Sequence, residues 1–583
     1  WQAAWPGAEF LPLRETLLLH LDSLLAEPLP EVALDGDLVA QARRTFGGVT
    51  LAQRAYSRVR PSAAAQRLPP WRPSDALGPV GAALFLRGSG KPLTDGVAGF
   101  FTVDGFHRVF LPALDNAVIS VASESWVLGQ KVDLDPSGPR MQALRTEMIA
   151  LYEADYAREW DAMLADLNLR QMQSLPRAAQ DLYILASPQS PMRELLASVV
   201  RQLRLSVPPT AAGTAQPATN AVQPADVDTD TERLRAVLHN VEPPNPAQGA
   251  PGHEIDERYA ALLALFGDGS GAPIDLVLKS LIDIQQLIAK QAAAPIGSTP
   301  PAIQPGSDPA TMLQAAAMRQ PAPLSRWLTT IASNAIALRG GNLKSQVAAV
   351  FNAPGGPAAV CSAAVEGHYP FTRSATNDVS IEEFSRLFGP GGVLDGFVNT
   401  MLRPYVDMSG STWRPQAADG VPAPVSLAEL AQFRRAAKIR DVFWPGRGSA
   451  ISIRIDVTPV SLDPATKHVT LDLGGTIVSA SHDPPHSTQI TWPGPARSQT
   501  ARLEFDPPAS GHPGAWEDSG PWSMFRLFNR GKSQTAAPDR VTMTYRIGDR
   551  EAVFEIRASS ASELFMPGLP QEFHCPSVAA VSP

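Results

Sequence analysis

Few residues in this chain stand at spacings that could do chemistry. His482, Asp483 and His486, in "HDPPH", offer three metal-ligand atoms within five residues. Pro484-Pro485 forces that stretch into an extended loop, and a structural site normally takes four ligands from a rigid frame, so a polar exposed loop is the simpler reading. "HEIDE" (253–257) begins like the zinc-protease pattern, but Glu257 stands where the second histidine of one helix face is needed. "LRGSGKP" (86–92) begins like a phosphate loop. Phe85 replaces its first glycine and Pro92 the hydroxyl residue that would hold Mg²⁺, so it reads as a solvent-exposed turn. No Gly-x-Ser-x-Gly elbow and no dinucleotide-binding glycine pattern is present. The reading is therefore of no catalytic, cofactor-binding or metal residue. The carboxylates are scattered, and a hidden glycosidase-type pair stays open, since its two acids need not be close in the chain.

Composition narrows the classes further. The 583 residues carry a net charge of −8 without a Lys/Arg stripe, which argues against a nucleic-acid partner. No run of 18 apolar residues could cross a bilayer, and no leader pattern is visible. The chain opens at Trp1 without Met, and the expectation is a fragment of a longer protein. The two cysteines, Cys361 and Cys575, make a structural zinc site untenable and leave two readings, one disulfide or two inert thiols.

The elements come next. Residues 1–206 read as a mainly helical domain. One helix is expected at 11–26, and another over about 141–169, where Leu144, Met148, Tyr152, Tyr156, Trp160, Met163/Leu164 and Leu167 form an apolar stripe best explained as core. Residues 207–254 are rich in Pro, Ala, Thr and Gly and read as a linker or long loop, with a short helix at 231–239. Residues 255–445 read as helical, with a Pro-rich break at 294–309. After Pro445 the period changes to two: Ile451 to Val457, Val469 to Leu473, Ala501 to Phe505, and Val541 to Ile556 across "GDRE". The fold class expected is thus multidomain α+β, helical domains followed by an antiparallel β-sandwich-like domain at 446–583.

Within that β region, "GPWSMFRLF" (520–528) has a helical start and places Trp522, Phe525 and Phe528 on one face, in a short helix near 521–530. It is too short to stand alone. Two readings follow, a plug closing one end of the β domain or a docking face for a partner, and burial of Trp522 separates them. With loops as the usual carriers of recognition, 481–496 is the other expected contact region. The candidate partner-binding residues are His482, Asp483, His486, Trp492 and Trp522.

Several separated stretches resemble one family. "VAGFFTVDGFHRVFLPAL" (97–114), with Gly99, Thr102, Gly105, Phe106 and Phe110, is followed by "ESWVLG" (124–129) and by a Tyr-x-x-Asp-Tyr-x-x-x-Trp helix in Tyr152, Asp155, Tyr156 and Trp160. "SPM" (190–192), "CSAAVEGHYPF" (361–371), "IEEFSRLFGPGGVLDGFVNTMLRPYVD" (381–407), "FWPG" (443–446), "GPWSMFRLF" and "EFHCP" (572–576) continue in order, while Glu563-Leu564-Phe565 departs from the family's Asn-Pro-Phe. In these motifs the chain resembles the IcmF/TssM family, whose members are large inner-membrane subunits of type VI secretion systems. The family's membrane spans and NTPase-like domain have no counterpart in the sequence, so the resemblance implies the periplasmic region. It implies a non-enzymatic scaffold of a trans-envelope complex that bridges inner and outer membranes. The implied partners are the outer-membrane lipoprotein TssJ, the inner-membrane subunit TssL, and further copies of itself in a channel-like assembly. In a periplasmic setting Cys361 and Cys575 could pair, joining the helical region to the end of the β domain. The competing readings are a periplasmic peptidoglycan-acting enzyme or binder and a plain adaptor.

Overall fold

The structure is a computed structural model. It describes residues 11–26, 28, 35–128, 135, 137–209, 249–267, 271–295, 306–494, 498–558 and 569–579. Most of the 207–254 linker with its 231–239 helix, the centre of the 294–309 break, positions 495–496 and Glu563–Phe565 lie outside these residues. The architecture is α+β, with helices to Phe443 and antiparallel strands after it. The chain forms two compact units that do not follow chain order. The first comprises 1–76, 91–166 and 195–264; the second comprises 77–90, 167–194 and 265–583.

The first unit is built on helices α1 (Leu51–Val59), α2 (Leu111–Ser123) and α3 (Pro139–Asp166). Thr50 and Gln53 form a capping box that starts α1 by satisfying backbone donors otherwise left without partners. The apolar stripe of α3 is core, with Tyr152, Tyr156 and Trp160 fully buried. Each buried polar tip has a partner. The Tyr152 hydroxyl donates to the Phe100 carbonyl at 2.5 Å, Trp160 Nε1 to the Phe101 carbonyl at 3.0 Å, and the Tyr156 hydroxyl to the Gln202 carbonyl at 2.6 Å. Asp155 accepts from the Tyr56 hydroxyl at 3.0 Å. The Tyr-x-x-Asp-Tyr-x-x-x-Trp spacing is thus a ladder that holds irregular backbone against a helix. The segment it holds leaves no room for side chains at its glycines. A Cβ on Gly105 would lie 2.2 Å from the Phe100 carbonyl oxygen. Because the obstacle is backbone, Gly105→Ala is expected to destabilise this unit by about 2 kcal/mol or more, a cost typical of overpacked cores; urea unfolding would measure it.

Helix α3 stops at Asp166 rather than near 169, because Leu167–Leu169 turns into a strand paired with Phe85–Arg87. "LRGSGKP" leads out of that ladder through a turn closed by the Gly90 N–H on the Arg87 carbonyl at 3.0 Å.

Glu153 sits on α3 and is only 5% exposed. It accepts from the Gly252 N–H at 2.8 Å, beside the point where Asp256 accepts from Leu205 N, Ser206 N and the Ser206 hydroxyl. Burial raises its carboxyl to about 7; the Gly252 hydrogen bond opposes this, Glu254 and Asp256 add to it, and His253 opposes it. A folded-state pKa above the unfolded 4.5 means that the group's contribution is fullest below pH 4.5 and is lost as pH rises through 7. Raising the pH from 5 to 8 should therefore weaken this unit by at most about 3 kcal/mol through Glu153. In Glu153→Gln, whose amide oxygen still accepts from Gly252, that slope should flatten. An equal loss of stability between the two pH values in the unmutated chain and in the variant, measured by urea unfolding, would refute the assignment.

In the second unit, helix α4 (Leu324–Phe351) carries Arg339, which forms a buried ion pair with Asp308. Helices α5 (Pro357–Val365), α6 (Ile381–Phe388) and α7 (Leu427–Phe443) follow. Among the described residues the β domain has nine strands: β1 (Ile453–Leu462), β2 (His468–Leu473), β3 (Thr476–Ala480), β4 (Thr488–Trp492), β5 (Thr500–Asp506), β6 (Ala515–Ser519), β7 (Lys532–Ala537), β8 (Arg540–Ile547) and β9 (Arg550–Arg557). They form two antiparallel sheets, β4-β1-β9-β8-β7 and β6-β5-β2-β3. Burial alternates along β1, β5 and β9, as one-sided packing requires. Gly474-Gly475, both with positive φ, make the two-residue turn between β2 and β3. A single core runs from Leu343 on α4 to Val578, so no break in packing separates α5–α7 from the sheets.

Candidate protein-docking site

Helix α8 (Ser523–Arg530) leaves the sheets after Gly520, whose φ of +109° only glycine adopts without strain. Its start and one face dock on the segment 369–379. Trp522 is fully buried, and its Nε1 donates to the Val379 carbonyl at 2.7 Å. Its ring lies 4.9 Å from Phe384 and from Trp492, and 5.8 Å from Phe443. Arg526 pairs with Asp378, donates to the Ala375 carbonyl at 3.0 Å and lies over the Tyr369 ring at 4.1 Å. Asn529 Nδ2 donates to the Tyr369 hydroxyl at 2.6 Å. Burial, the largest influence, pushes the Tyr369 phenol well above its ordinary range.

Beside this junction opens a groove of about 530 Å³. Phe371, Phe525, Phe528 and Met543 line its apolar interior, Arg373 and Ser533 stand on its rim, and Leu569–Glu572 supplies a wall. That wall belongs to the segment 569–579, which has no regular secondary structure. The segment is held by Phe573, buried 5.0 Å from the Phe388 ring, by Asn352 Nδ2 donating to the Val578 carbonyl at 2.9 Å, and by an Arg435–Glu572 ion pair at 3.4 Å. Covalently, Cys575 is bonded to the buried Cys361 of α5, 214 residues away. Chemically the groove is an aromatic and aliphatic cleft with a polar rim, suited to receive apolar side chains from another protein.

The structure separates the residues singled out from sequence. Trp522 and Trp492, read as partner contacts, are 0% and 6% exposed and pack against one another with their rings tilted. The chain's own rings cover them, so neither is free to touch a partner. Nor does α8 merely close one end of the β domain: it fastens the sheets to α6, α7 and the 369–379 segment. His482, Asp483 and His486 are all exposed, and His482 Nε2 lies 2.9 Å from the Thr466 carbonyl. Among the described residues no group of three or more His, Cys, Asp or Glu is placed to hold a metal. Sequence reasoning missed Asp378, Arg526, Arg373 and Ser533. The Tyr369-Pro370-Phe371 motif was the available pointer to this place.

Comparison with known proteins places these features. Residues 1–204 match the family model IcmF-related, "Intracellular multiplication and human macrophage-killing", and residues 455–560 match "Type VI secretion protein IcmF C2-like domain". A curated relative, the type VI secretion system component TssM1 of Pseudomonas aeruginosa, is 32% identical over 576 residues. The chain belongs to the IcmF/TssM family. The match covers 97% of this chain and 51% of that relative, so the chain spans about half the length of the family member it resembles. In fold it is similar to a chain of a "Type VI secretion system membrane core complex" (TM-score 0.51, 17% identity, 91% of this chain and 97% of that one). It is similar also to a chain of a "Type VI membrane complex" (TM-score 0.51, 14% identity, 93% and 94%). Gly105, Tyr152, Tyr156 and Trp160 of the family motifs thus act as framework in this family member. No described helix is long and apolar enough to cross a membrane.

Proposed function

We propose that this chain is the periplasmic region of a structural, non-enzymatic component of a type VI secretion membrane complex. It bridges the two membranes by binding the outer-membrane lipoprotein TssJ at one end, associating with the inner-membrane subunit TssL at the other, and assembling with further copies of itself. The observation that carries this reading is the chain-long 32% identity to a type VI secretion system component. Supporting it are the use of the motif residues as framework and the groove beside α8, where Phe371, Phe525, Phe528 and Met543 offer apolar surface within a polar rim. The groove beside α8 is the lead contact surface, and the exposed loop bearing His482, Asp483 and His486 is the second. Titration calorimetry of the 583-residue chain against the soluble form of TssJ tests the reading. Saturable binding at micromolar Kd or tighter is expected. No heat, with both proteins folded, would overturn the assignment of this partner.

A further inference from the structure

The Pro- and Ala-rich stretch 207–251 starts and ends at one place on the first unit. Before it, the helix Pro191–Leu203 runs into Leu205 and Ser206; after it, Gly252 leads into the helix His253–Arg258. The two ends are laced together. Asp256 accepts from the Leu205 N–H at 2.6 Å, from the Ser206 N–H at 3.1 Å and from the Ser206 hydroxyl at 2.5 Å. Gly252 lies directly on Leu205: its φ is +93°, and a Cβ there would stand 2.8 Å from the Leu205 carbonyl carbon. Only glycine meets both demands.

The laced ends are fixed to the framework by α3. Tyr156 donates to the Gln202 carbonyl at 2.6 Å, and Glu153, three residues earlier, accepts from the Gly252 N–H at 2.8 Å. From the segment Phe106–Phe110, His107 places Nε2 2.9 Å from the Leu205 carbonyl. The two carboxylates at this junction have unlike surroundings. Asp256 meets three donors, whereas Glu153 is 5% exposed and, among the described residues, is supplied with one backbone N–H. The charges acting on Glu153 come from the returning end. The carboxylates of Glu254 and Asp256 oppose its ionisation, and His253, itself paired with Glu257 at 3.0 Å, favours it. The other titratable groups at the junction, His107 and Tyr156, hold backbone carbonyls. A neutral Glu153 keeps the Gly252 bond without burying charge. An ionised one adds a third carboxylate charge to a site closed to water.

We propose that Glu153 is a pH-governed latch: protonated, it holds the root of the 207–251 excursion shut; ionised, it releases Gly252, and the lacing of 205–206 to 252–256 opens while α3 stays folded. The stretch is then an excursion of the first unit, not a connection between units.

The test measures the protection of backbone amides against exchange in the 583-residue chain, corrected for the intrinsic rate at each pH. Between pH 6 and pH 8 the protection of Leu205, Ser206 and Gly252 should fall about tenfold, the linkage for a carboxyl at about 7 when closed and 4.5 when open. Protection across Tyr152–Trp160 should hold. Glu153→Gln, whose amide oxygen still accepts from Gly252, should abolish the fall. Glu254→Gln, at an exposed position, should move the midpoint of the fall to lower pH, because one opposing charge is gone. That variant tests the latch even where Glu153→Gln does not fold. No fall in the unmutated chain, a fall of the same size in Glu153→Gln, or an unmoved midpoint in Glu254→Gln would overturn the inference. A fall shared equally by Tyr152–Trp160 would show the whole unit loosening and would overturn it too.

Discussion

Replacing Trp522 with alanine should cost about 3–5 kcal/mol, the range for large aromatic side chains removed from a packed core. The indole is fully buried and contacts rings from α6, from the end of α7 and from β4, so its cavity would be bounded by elements that cannot collapse together. The Val379 carbonyl would lose its donor, which adds to the cost. The effect should be regional. Amide exchange should rise first in α8 and in 369–379, where Arg526 and Asp378 would remain the chief tie. Trp522→Phe, which keeps the ring packing but not the N–H, should recover more than half of the loss. Urea unfolding checks both, and a loss below about 1 kcal/mol for the alanine variant would contradict a central role for this ring.

The second large effect belongs to the disulfide. Cys361 and Cys575 close a loop with a sequence separation of 214, for which the chain-entropy picture predicts about 5 kcal/mol of stabilisation. Reduction, or Cys361→Ala/Cys575→Ala, should lower the stability of the second unit by that order. The segment 569–579 should respond most, because it has no backbone ladder of its own and relies on Phe573, Asn352 and Arg435 once the bond is gone. Since that segment walls the groove, exchange at Leu569–Glu572 should rise even where the sheets stay folded. Identical unfolding midpoints with and without reductant would refute the prediction. In the proposed periplasmic setting the bond is expected to form and persist.

Legibility in the sequence followed burial. Strands β1, β2, β5, β8 and β9 were visible because one face is buried and the other is not, which writes a period of two into the residue types. Strand β7, "KSQTAA", is exposed along almost its whole length, and β6, "AWEDS", packs neither face fully. Neither has a reason to alternate, and neither was visible. The candidate site suffered for the same reason. Its rim is polar and its interior residues come from stretches more than a hundred positions apart, so no local spacing announces it.

The sequence by itself determined the helix-to-strand change near Pro445, the core stripe of α3, the existence of a short helix after Gly520-Pro521 and the family, because each is written in neighbouring residues whose periodicity or order follows from local backbone geometry. Tertiary structure alone decided where Trp522 goes. The sequence allows a plug or a docking face; Val379 and Asp378, some 143 residues earlier, turn the helix inward and make it a fastener. It also decided that 77–90 and 167–194 fold with the second unit and that 569–579 becomes a wall. Hydrophobic burial has no direction along the chain, so which distant surfaces meet is settled by their fit and by the polar partners each buried group must find, neither of which any short stretch contains.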